Sequence, residues 1–407
     1  MKIKRNITLL TGNQFFTVVA DSIFDLAILW YIYQMTSSAF YASLATALIA
    51  LTNIFLGPLI GVFVDRFEPK SSMQIGYAFM IFIGLLLSLA FIYWIDFLLV
   101  LIYITIIIQN VCMLLINPAL KKLLPRIVGI SRIVRVNGYI SSSSQAGDLI
   151  GQSISGFLIG LIGFVGVMIS HSGIYLLASI LLMFVVNITS SNVNEDGENI
   201  KGHSKPNFFT ELKVGYQNLI KNKAILKIVL VAMAVNVTTI AGSLLVVLVT
   251  DQYHATAIHF GVMNALSAGT GILIGLFASK LISLAKPNII FSCILSLTGG
   301  SFIGMGLVSN AYLGTVFFMM LSAAGTLMNV LFGSLLITLI EDKFRGRVIT
   351  LVSALASLLM PGIAVLGGLI ADWSNIVYLF IFSGVWCLLW GVYPLFDKDL
   401  KMISKIA

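Results

Sequence analysis

The chain is a succession of apolar stretches, each long enough to cross a lipid bilayer as a helix. A spanning helix needs about 20 mostly apolar residues, and short breaks containing Pro, Gly, Asn or charged residues separate twelve such stretches here. We predict the spans at residues 8–34, 41–64, 73–94, 97–118, 136–162, 165–190, 225–250, 257–279, 288–308, 311–340, 347–371 and 375–396. Only 10% of the 407 residues are charged, against about 25% in soluble domains. The sequence therefore predicts an all-α membrane protein with twelve transmembrane helices.

The basic residues set the predicted orientation. All 24 Lys and Arg residues lie before the first span or after an even-numbered span. Cytoplasmic loops collect Lys and Arg, so we expect both termini on the cytoplasmic side of the cell membrane. The net charge of +8 then reflects loops that face anionic lipid, and we expect no nucleic-acid partner.

One long polar stretch, residues 191–223, joins the sixth and seventh spans and divides the chain into halves at 1–190 and 224–407. Apolar side chains recur at helical spacing in its second part, which favours a helix on the inner membrane surface. A solvated linker is the alternative for its first part. A Gly-x-Phe pattern begins at Gly61, at the end of the second span, and recurs at Gly275, at the end of the eighth span and 214 residues later. We therefore expect two pseudo-symmetric six-helix bundles.

The first span carries polar residues that do not suit a lipid-facing helix. Gln14, Thr17, Asp21 and Asp25 recur at intervals of three, four and four residues, which predicts one polar stripe. A carboxylate that faces lipid costs at least about 2.5 kcal/mol, so we expect the stripe to face an internal cavity. Asp148 in the fifth span is expected at a similar depth, where the predicted topology places no Lys or Arg.

Burial and mutual repulsion favour the protonated form of a carboxylate. We therefore predict that Asp21, Asp25 and Asp148 carry protons or bind substrate near the middle of the membrane. The alternative is that these acids only hydrogen-bond neighbouring helices.

The loop after the second span reads GVFVDRFEPK. Its residues Gly61, Asp65, Arg66 and Lys70 match the signature Gly-x-Leu-x-Asp-Arg-x-Gly-Arg-Lys, and in this the chain resembles the major facilitator superfamily. The sequence Glu-Pro replaces the Gly-Arg of the signature. A glycine lets two helices approach closely, and an aspartate at a helix end can pair with a base in one conformation only. We predict a conformational latch at these four residues.

The fifth span contains a second motif. Gly138, Gly147, Gly151 and Gly156 fall on the Gly-x8-Gly-x3-Gly-Pro-x2-Gly-Gly pattern of antiporters in that superfamily. Glycines this dense allow tight packing, and we expect them to join the two halves and to permit a bend. Ordinary small-residue packing is the alternative.

Three further segments resemble the macrolide-efflux and enterobactin-exporter branch: DLAILWYIYQMTSSA in the first span, NPAL in the fourth and FRGRV after the tenth. Many drug antiporters have an arginine where this chain has Gln109, so their proton relay is not expected here. With Gln14 and Thr17 from the first span, the resemblance indicates Gln109, Asn236 and Asn329 as candidates for the substrate cavity.

The chain contains no GxxxxGK[ST] phosphate loop, so we expect an ion gradient as the energy source. The resemblance implies a secondary transporter that works by alternating access, without cofactor or metal and as a monomer. We predict proton-coupled export of an amphipathic small molecule, either a drug such as a macrolide or a siderophore. A nutrient importer of the same fold is the alternative. A membrane enzyme would need a nucleophile or metal cluster, and we expect His171, His254 and His259 to be ordinary residues near the outer face.

The charge pattern leads to a test of topology. The loop at 251–256 is predicted to face outward, so a His254→Cys substitution should react with an impermeant thiol reagent added outside intact cells. The parent chain, which has three cysteines in apolar stretches, is the control. Labelling of the substituted chain only from the inner side would contradict the topology.

Overall fold

The computed structural model describes residues 2–128, 133–186, 223–340, 352 and 359–402, and the regular elements in these ranges are all helices. They are α1 (Lys2–Thr36), α2 (Ala39–Arg66), α3 (Pro69–Tyr93), a 3-10 helix (Ile95–Phe97), α4 (Leu98–Val128), α5 (Ile133–Met183), α6 (Lys223–Asn236), α7 (Thr239–Gly242), α8 (Leu245–Val247), a π-helix (Leu248–Gln252), α9 (Ala257–Ile282), α10 (Pro287–Leu307), α11 (Ala311–Leu339), α12 (Met360–Trp373), α13 (Ile376–Phe396) and α14 (Lys398–Lys401). Apart from Lys223, the linker predicted at 191–223 lies outside the described residues, as does the FRGRV segment.

Ten of the described helices are long and apolar enough to cross a membrane. Helix α5 counts once among them, but its 51 residues suffice for two spans. It is interrupted at Gly163, whose φ of 63° suits a residue without a side chain, and the fifth and sixth predicted spans meet there. Helix α12 has 14 residues, and much of the eleventh predicted span before it lies outside the described residues. The predicted all-α membrane fold is confirmed.

The seventh predicted span, 225–250, is not one continuous helix. Helix α6 ends at Asn236, and the chain continues through the short helices α7 and α8 into the π-helix. Thr238 Oγ1 donates to the carbonyl of Val235 at 2.7 Å, and Thr239 Oγ1 donates to the carbonyl of Asn236 at 2.6 Å. Hydroxyl side chains that bond in this way compete with the backbone hydrogen bonds of a helix. The apolar pattern of the sequence did not predict this break.

Two residues with the same positive φ support the internal repeat. Ser37 and His254 both have a φ of 49°, and each lies between the end of one helix and the start of the next, α2 at Ala39 and α9 at Ala257. The two residues are 217 positions apart, close to the offset of the Gly-x-Phe pattern. Equivalent turns at this spacing agree with two pseudo-symmetric halves.

The chain divides into two compact units. Unit 1 contains residues 1–37, 44–198 and 256–265, and unit 2 contains 38–43, 199–255 and 266–407. Most of each unit comes from one predicted half, while the start of α2 groups with unit 2 and the start of α9 with unit 1. The division at 191–223 stays a prediction.

In unit 1, α1 packs along α5 and is hydrogen-bonded to it. Asn6 Nδ2 donates to the carbonyl of Val186 at 2.8 Å, and the fully buried Asn13 donates to the carbonyl of Ala178 at 2.7 Å. Interhelical hydrogen bonds help to hold helices together in a bilayer, where lipid tails supply no hydrophobic driving force between them.

Two motif glycines make close contacts between α5 and α1. A Cβ atom at Gly147 would lie 2.8 Å from the carbonyl oxygen of Phe15, and one at Gly151 would lie 2.8 Å from that of Val19. Both contacts lie inside unit 1. This corrects the expectation that these two glycines join the halves of the chain, because their partner is the first helix of the same half.

The other two motif glycines differ from each other. A Cβ atom at Gly156 would lie 2.5 Å from Cα of Gly261 at the start of α9, which comes from the second half of the sequence. Gly138 has open space around it, since no atom of the described residues lies within 4 Å of a Cβ atom built there. The interruption of α5 lies at Gly163, outside the motif.

The Glu-Pro departure from the family signature has a local reason. Glu68 caps α3, since its carboxylate accepts a hydrogen bond from the Ser71 N–H at 2.8 Å, and Pro69 is the first residue of the helix. Burial acts to raise the pKa of Glu68, but the hydrogen bonds from Ser71 outweigh it and hold that pKa below its ordinary value.

In unit 2, α10 packs against α11 and α13 around a core that includes Phe291 and Leu295. Lys227, near the start of α6, forms ion pairs with Asp397 and Asp399 just beyond α13. Burial acts to raise the pKa of Asp397, but the hydrogen bond from Lys227 helps to hold it below its ordinary value. These pairs tie the start of α6 to the end of α13.

The glycine contacts predict opposite effects for two matched substitutions. Gly151→Ala should destabilise the protein by about 1–3 kcal/mol, because the added methyl group would overlap the backbone of α1. Gly138→Ala should leave stability unchanged or raise it, because the space is open and Ala favours a helix. Thermal unfolding of the purified variants in detergent measures both, and equal melting temperatures would show that the α1–α5 contact is looser than described.

Candidate functional site

A cavity of about 380 Å³ lies within unit 1, between α1, α2 and α4. Its wall combines carboxylates, amides and apolar side chains. The lining residues are Asp21, Asp25, Ile49, Asn53, Ile106, Gln109, Asn110, Met113, Leu114, Asn117 and Pro118. None of these lining residues is Lys, Arg or His, so the described part of the cavity wall carries acidic groups without a compensating base.

The acid pair of α1 meets Gln109 of α4 at this cavity. Gln109 Nε2 donates to Asp21 Oδ1 at 2.5 Å and lies 3.3 Å from Asp25 Oδ1. Gln109 is 5% exposed, Asp21 is half-buried, and Asp25 is exposed to the cavity. The structure thus brings together three of the residues that the sequence indicated.

Three asparagines of the cavity wall were missed as site residues by sequence reasoning. Asn110 Nδ2 donates to the carbonyl of Ile49 at 2.7 Å, which joins α4 to α2. Asn53 and Asn117 are exposed at the cavity. On α4, residues 106, 109, 110, 113 and 117 share one face at helical spacing, and this spacing was the signal that could have found Asn110 and Asn117.

The predicted polar stripe of α1 is split in the structure. Thr17 is fully buried and donates to the Asn13 carbonyl at 2.9 Å and to Tyr77 Oη at 3.2 Å, on the side of α3. Gln14 is buried as well, and neither residue lines the cavity. With 3.6 residues per turn, each step of four residues overshoots a full turn by about 40°. Thr17 is therefore rotated by about 80° from Asp25 and points to a different neighbour.

Asp148 lies at the contact between α5 and α1 and does not line the cavity. Its Oδ1 accepts hydrogen bonds from Ser22 Oγ at 2.7 Å and from Gln152 Nε2 at 2.9 Å. The structure therefore does not bring this third acid into the cavity with Asp21 and Asp25.

The predicted latch is described only in part. The side chains at positions 61–66, which include Gly61, Asp65 and Arg66, lie outside the described residues. Lys70 Nζ donates to the carbonyls of Met183 and Val185, at 3.0 and 2.8 Å. A cation at the carboxyl end of a helix is stabilising, so Lys70 fastens the start of α3 to the end of α5.

The two remaining cavity candidates belong to unit 2. Asn236 is the last residue of α6, where the seventh span breaks, and Asn329 is exposed on α11. Neither lines the cavity of unit 1.

The histidines divide into two kinds. His254 and His259 are exposed, whereas His171 is fully buried, with its ring centroid 5.1 Å from that of Phe24 and 4.9 Å from that of Tyr175. The expectation of a surface position is thus wrong for His171, because it faces the core of unit 1. Within the described residues, no group of three or more His, Cys, Asp or Glu side chains could hold a metal ion.

Comparisons with known proteins agree with this architecture. The chain is 23% identical to macrolide efflux protein A of Streptococcus pyogenes, over 97% of this chain and 96% of that protein. It is 27% identical to the uncharacterized MFS-type transporter YfiS of Bacillus subtilis, over 98% and 94%. A solved bacterial homolog of the human lysosomal transporter Spinster has the same fold, with a TM-score of 0.66 and 12% identity over 97% of this chain and 95% of that chain. The model of the Major Facilitator Superfamily matches residues 10–304. The chain therefore belongs to the major facilitator superfamily and is a multi-pass membrane transporter, not an enzyme.

Proposed function

We propose that this transporter exports an amphipathic small molecule in exchange for protons. The observation that carries the proposal is the pair Asp21 and Asp25, which lies with Gln109 in a cavity that also has apolar walls. Ionisable residues inside a membrane are costly and mark ion or proton pathways. A wall that mixes apolar surface with a few polar groups suits an amphipathic compound.

Export of a drug such as a macrolide is supported by the name of the Streptococcus pyogenes relative, which spans nearly the whole chain. The antiporter pattern of glycines in α5 supports exchange over import. A siderophore is the second substrate class, and it rests on the resemblance of three sequence segments to an exporter branch. Cytoplasmic termini and a functional monomer belong to the same proposal.

In the proposed cycle, the acid pair is open to one side of the membrane at a time. A proton enters from outside and occupies the pair. When the pair opens to the cytoplasm, substrate displaces the proton, and the return step carries substrate outward. The latch at Gly61, Asp65, Arg66 and Lys70 would hold one of these states closed.

Proteoliposomes with an imposed pH gradient test the proposal, with a radiolabelled macrolide and an internal pH-sensitive dye as probes. Macrolide should move against protons in the parent protein. Asp21→Asn and Asp25→Asn each remove one carboxylate of the pair, so we expect gradient-driven accumulation to fall to that of vesicles without protein.

Asp148→Asn is the matched control. It removes a carboxylate that lies outside the cavity, and an Asn Oδ1 can still accept the hydrogen bonds from Ser22 and Gln152. We expect this variant to keep most of the transport. Unchanged accumulation in both cavity variants would refute proton coupling through the pair, and movement of macrolide in the same direction as protons would favour an importer.

A further inference from the structure

Gln109 is hydrogen-bonded unequally to the two carboxylates of the pair. Its Nε2 atom lies 2.5 Å from Asp21 Oδ1 and 3.3 Å from Asp25 Oδ1. An N–H···O hydrogen bond has a usual length of about 2.9–3.0 Å, so the bond to Asp21 is short and the contact to Asp25 is long. A hydrogen bond to a carboxylate stabilises its charged form. The amide therefore favours a charge on Asp21 more than a charge on Asp25.

The surroundings of the pair disfavour a negative charge on both acids at once, so one of the two is protonated. Two neighbouring carboxylates in a medium of low dielectric constant disfavour double ionisation. Among the described residues, the other titratable groups that act on Asp25 are Asp21 on its own helix and Asp148 and Tyr175 on α5. The described residues of α2 and α4 that line the cavity add no titratable group and no base. This described part of the wall therefore supplies no cation that would compensate a second negative charge.

The two acids also differ in exposure, and this difference again favours Asp25 as the acid that exchanges its proton. Asp21 is half-buried beside Gln109, while Asp25 is exposed to the cavity. A ligand in the cavity can therefore reach Asp25 without displacing the amide of Gln109.

Resting on the proton exchange proposed above, we propose that Gln109 holds Asp21 as a fixed anion and leaves Asp25 to exchange its proton for the ammonium group of a cationic substrate. Gln109 is a positioning residue in this scheme, and Asp25 is the group that touches the substrate. The substrate class is a protonated amine on an apolar body. The amide oxygens of Asn53 and Asn117 are available to its N–H groups, and the side chains of Ile106 and Met113 to its body.

The exchange balances in protons and in charge. In the proton-loaded state Asp21 is ionised and Asp25 is neutral, so the pair carries one negative charge. When the substrate ammonium binds, the Asp25 proton leaves to the open side, and two carboxylates face one cation. The net charge of the site is the same in both states, so one proton is exchanged for one cation and the transport step is electroneutral.

Infrared spectroscopy of the purified chain tests the division of roles without any substrate. A protonated carboxyl group has a C=O stretching band that a carboxylate lacks, and the band of a Glu differs in position from that of an Asp. We expect such a band at neutral pH, a shift of that band in Asp25→Glu, and no shift in Asp21→Glu. Asp25→Asn should abolish it. Absence of the band in the parent, or a shift in Asp21→Glu, would overturn the proposal.

Gln109→Leu tests the positioning residue itself. Without the amide donor the two acids should share the proton, so in this background both Glu substitutions should shift the band. If only Asp25→Glu still shifts the band in this background, Gln109 does not determine which of the two acids is protonated.

The substrate class is tested with a macrolide that carries a tertiary amine and with the same macrolide lacking its amino sugar. The amine should abolish the band and release about one proton per protein, as expected for exchange at a single carboxylate, and the neutral compound should do neither. Loss of the band with both compounds, or with neither, would overturn the cationic class. The infrared comparison needs no pH gradient. If the band shifts occur as expected in a chain that does not transport macrolide, the proposed function is refuted, while the assignment of the proton to Asp25 stands.

Discussion

The packing of unit 1 has to keep two carboxylates of α1, which contact the Gln109 amide, away from lipid. Each carboxylate would cost at least about 2.5 kcal/mol if it faced lipid, so α1 must lie inside the unit. Helices α4 and α5 pack against it, Tyr77 of α3 is hydrogen-bonded to it, and the glycines of α5 allow a close approach to it.

The enclosure of α1 depends on polar groups that are not part of the cavity. Asn6 and Asn13 bind carbonyls at the end of α5, and Thr17 binds Tyr77 of α3. These bonds fix the rotation of α1 about its axis. Because that rotation decides which way Asp21 and Asp25 point, the hydrogen bonds on the far face of the helix position the acids on the near face.

The sequence predicted those features that follow from the cost of charge and polarity in a membrane. Asp21 and Asp25 had to face an interior, and the spacing of their helix was sufficient to say so. Thr17 shows the limit of the same argument, since a drift of about 40° per four residues turns it to another neighbour.

Gly147 and Gly151 show a second limit. Small residues indicate that some helix comes close, but the identity of that helix is set by tertiary packing. The break after Asn236 was missed because Thr238 and Thr239 compete with the helix through bonds that hydropathy does not register.

Polar residues in these helices can be sorted by how completely the protein satisfies them. Asn13 has protein partners on both its amide nitrogen and its amide oxygen, and Asp148 accepts two hydrogen bonds. Such groups already have partners within the protein, and a ligand would have to break existing bonds to reach them. Among the described residues, Asp25 accepts one hydrogen bond, from Gln109 at 3.3 Å, and it borders the open space of the cavity. In the proposed exchange, the neutral amide of Gln109 supplies a donor but no charge, so the cation that compensates the second carboxylate is that of the ligand. Selectivity for a positively charged substrate would then depend on the absence of a basic side chain at position 109 as much as on the two acids.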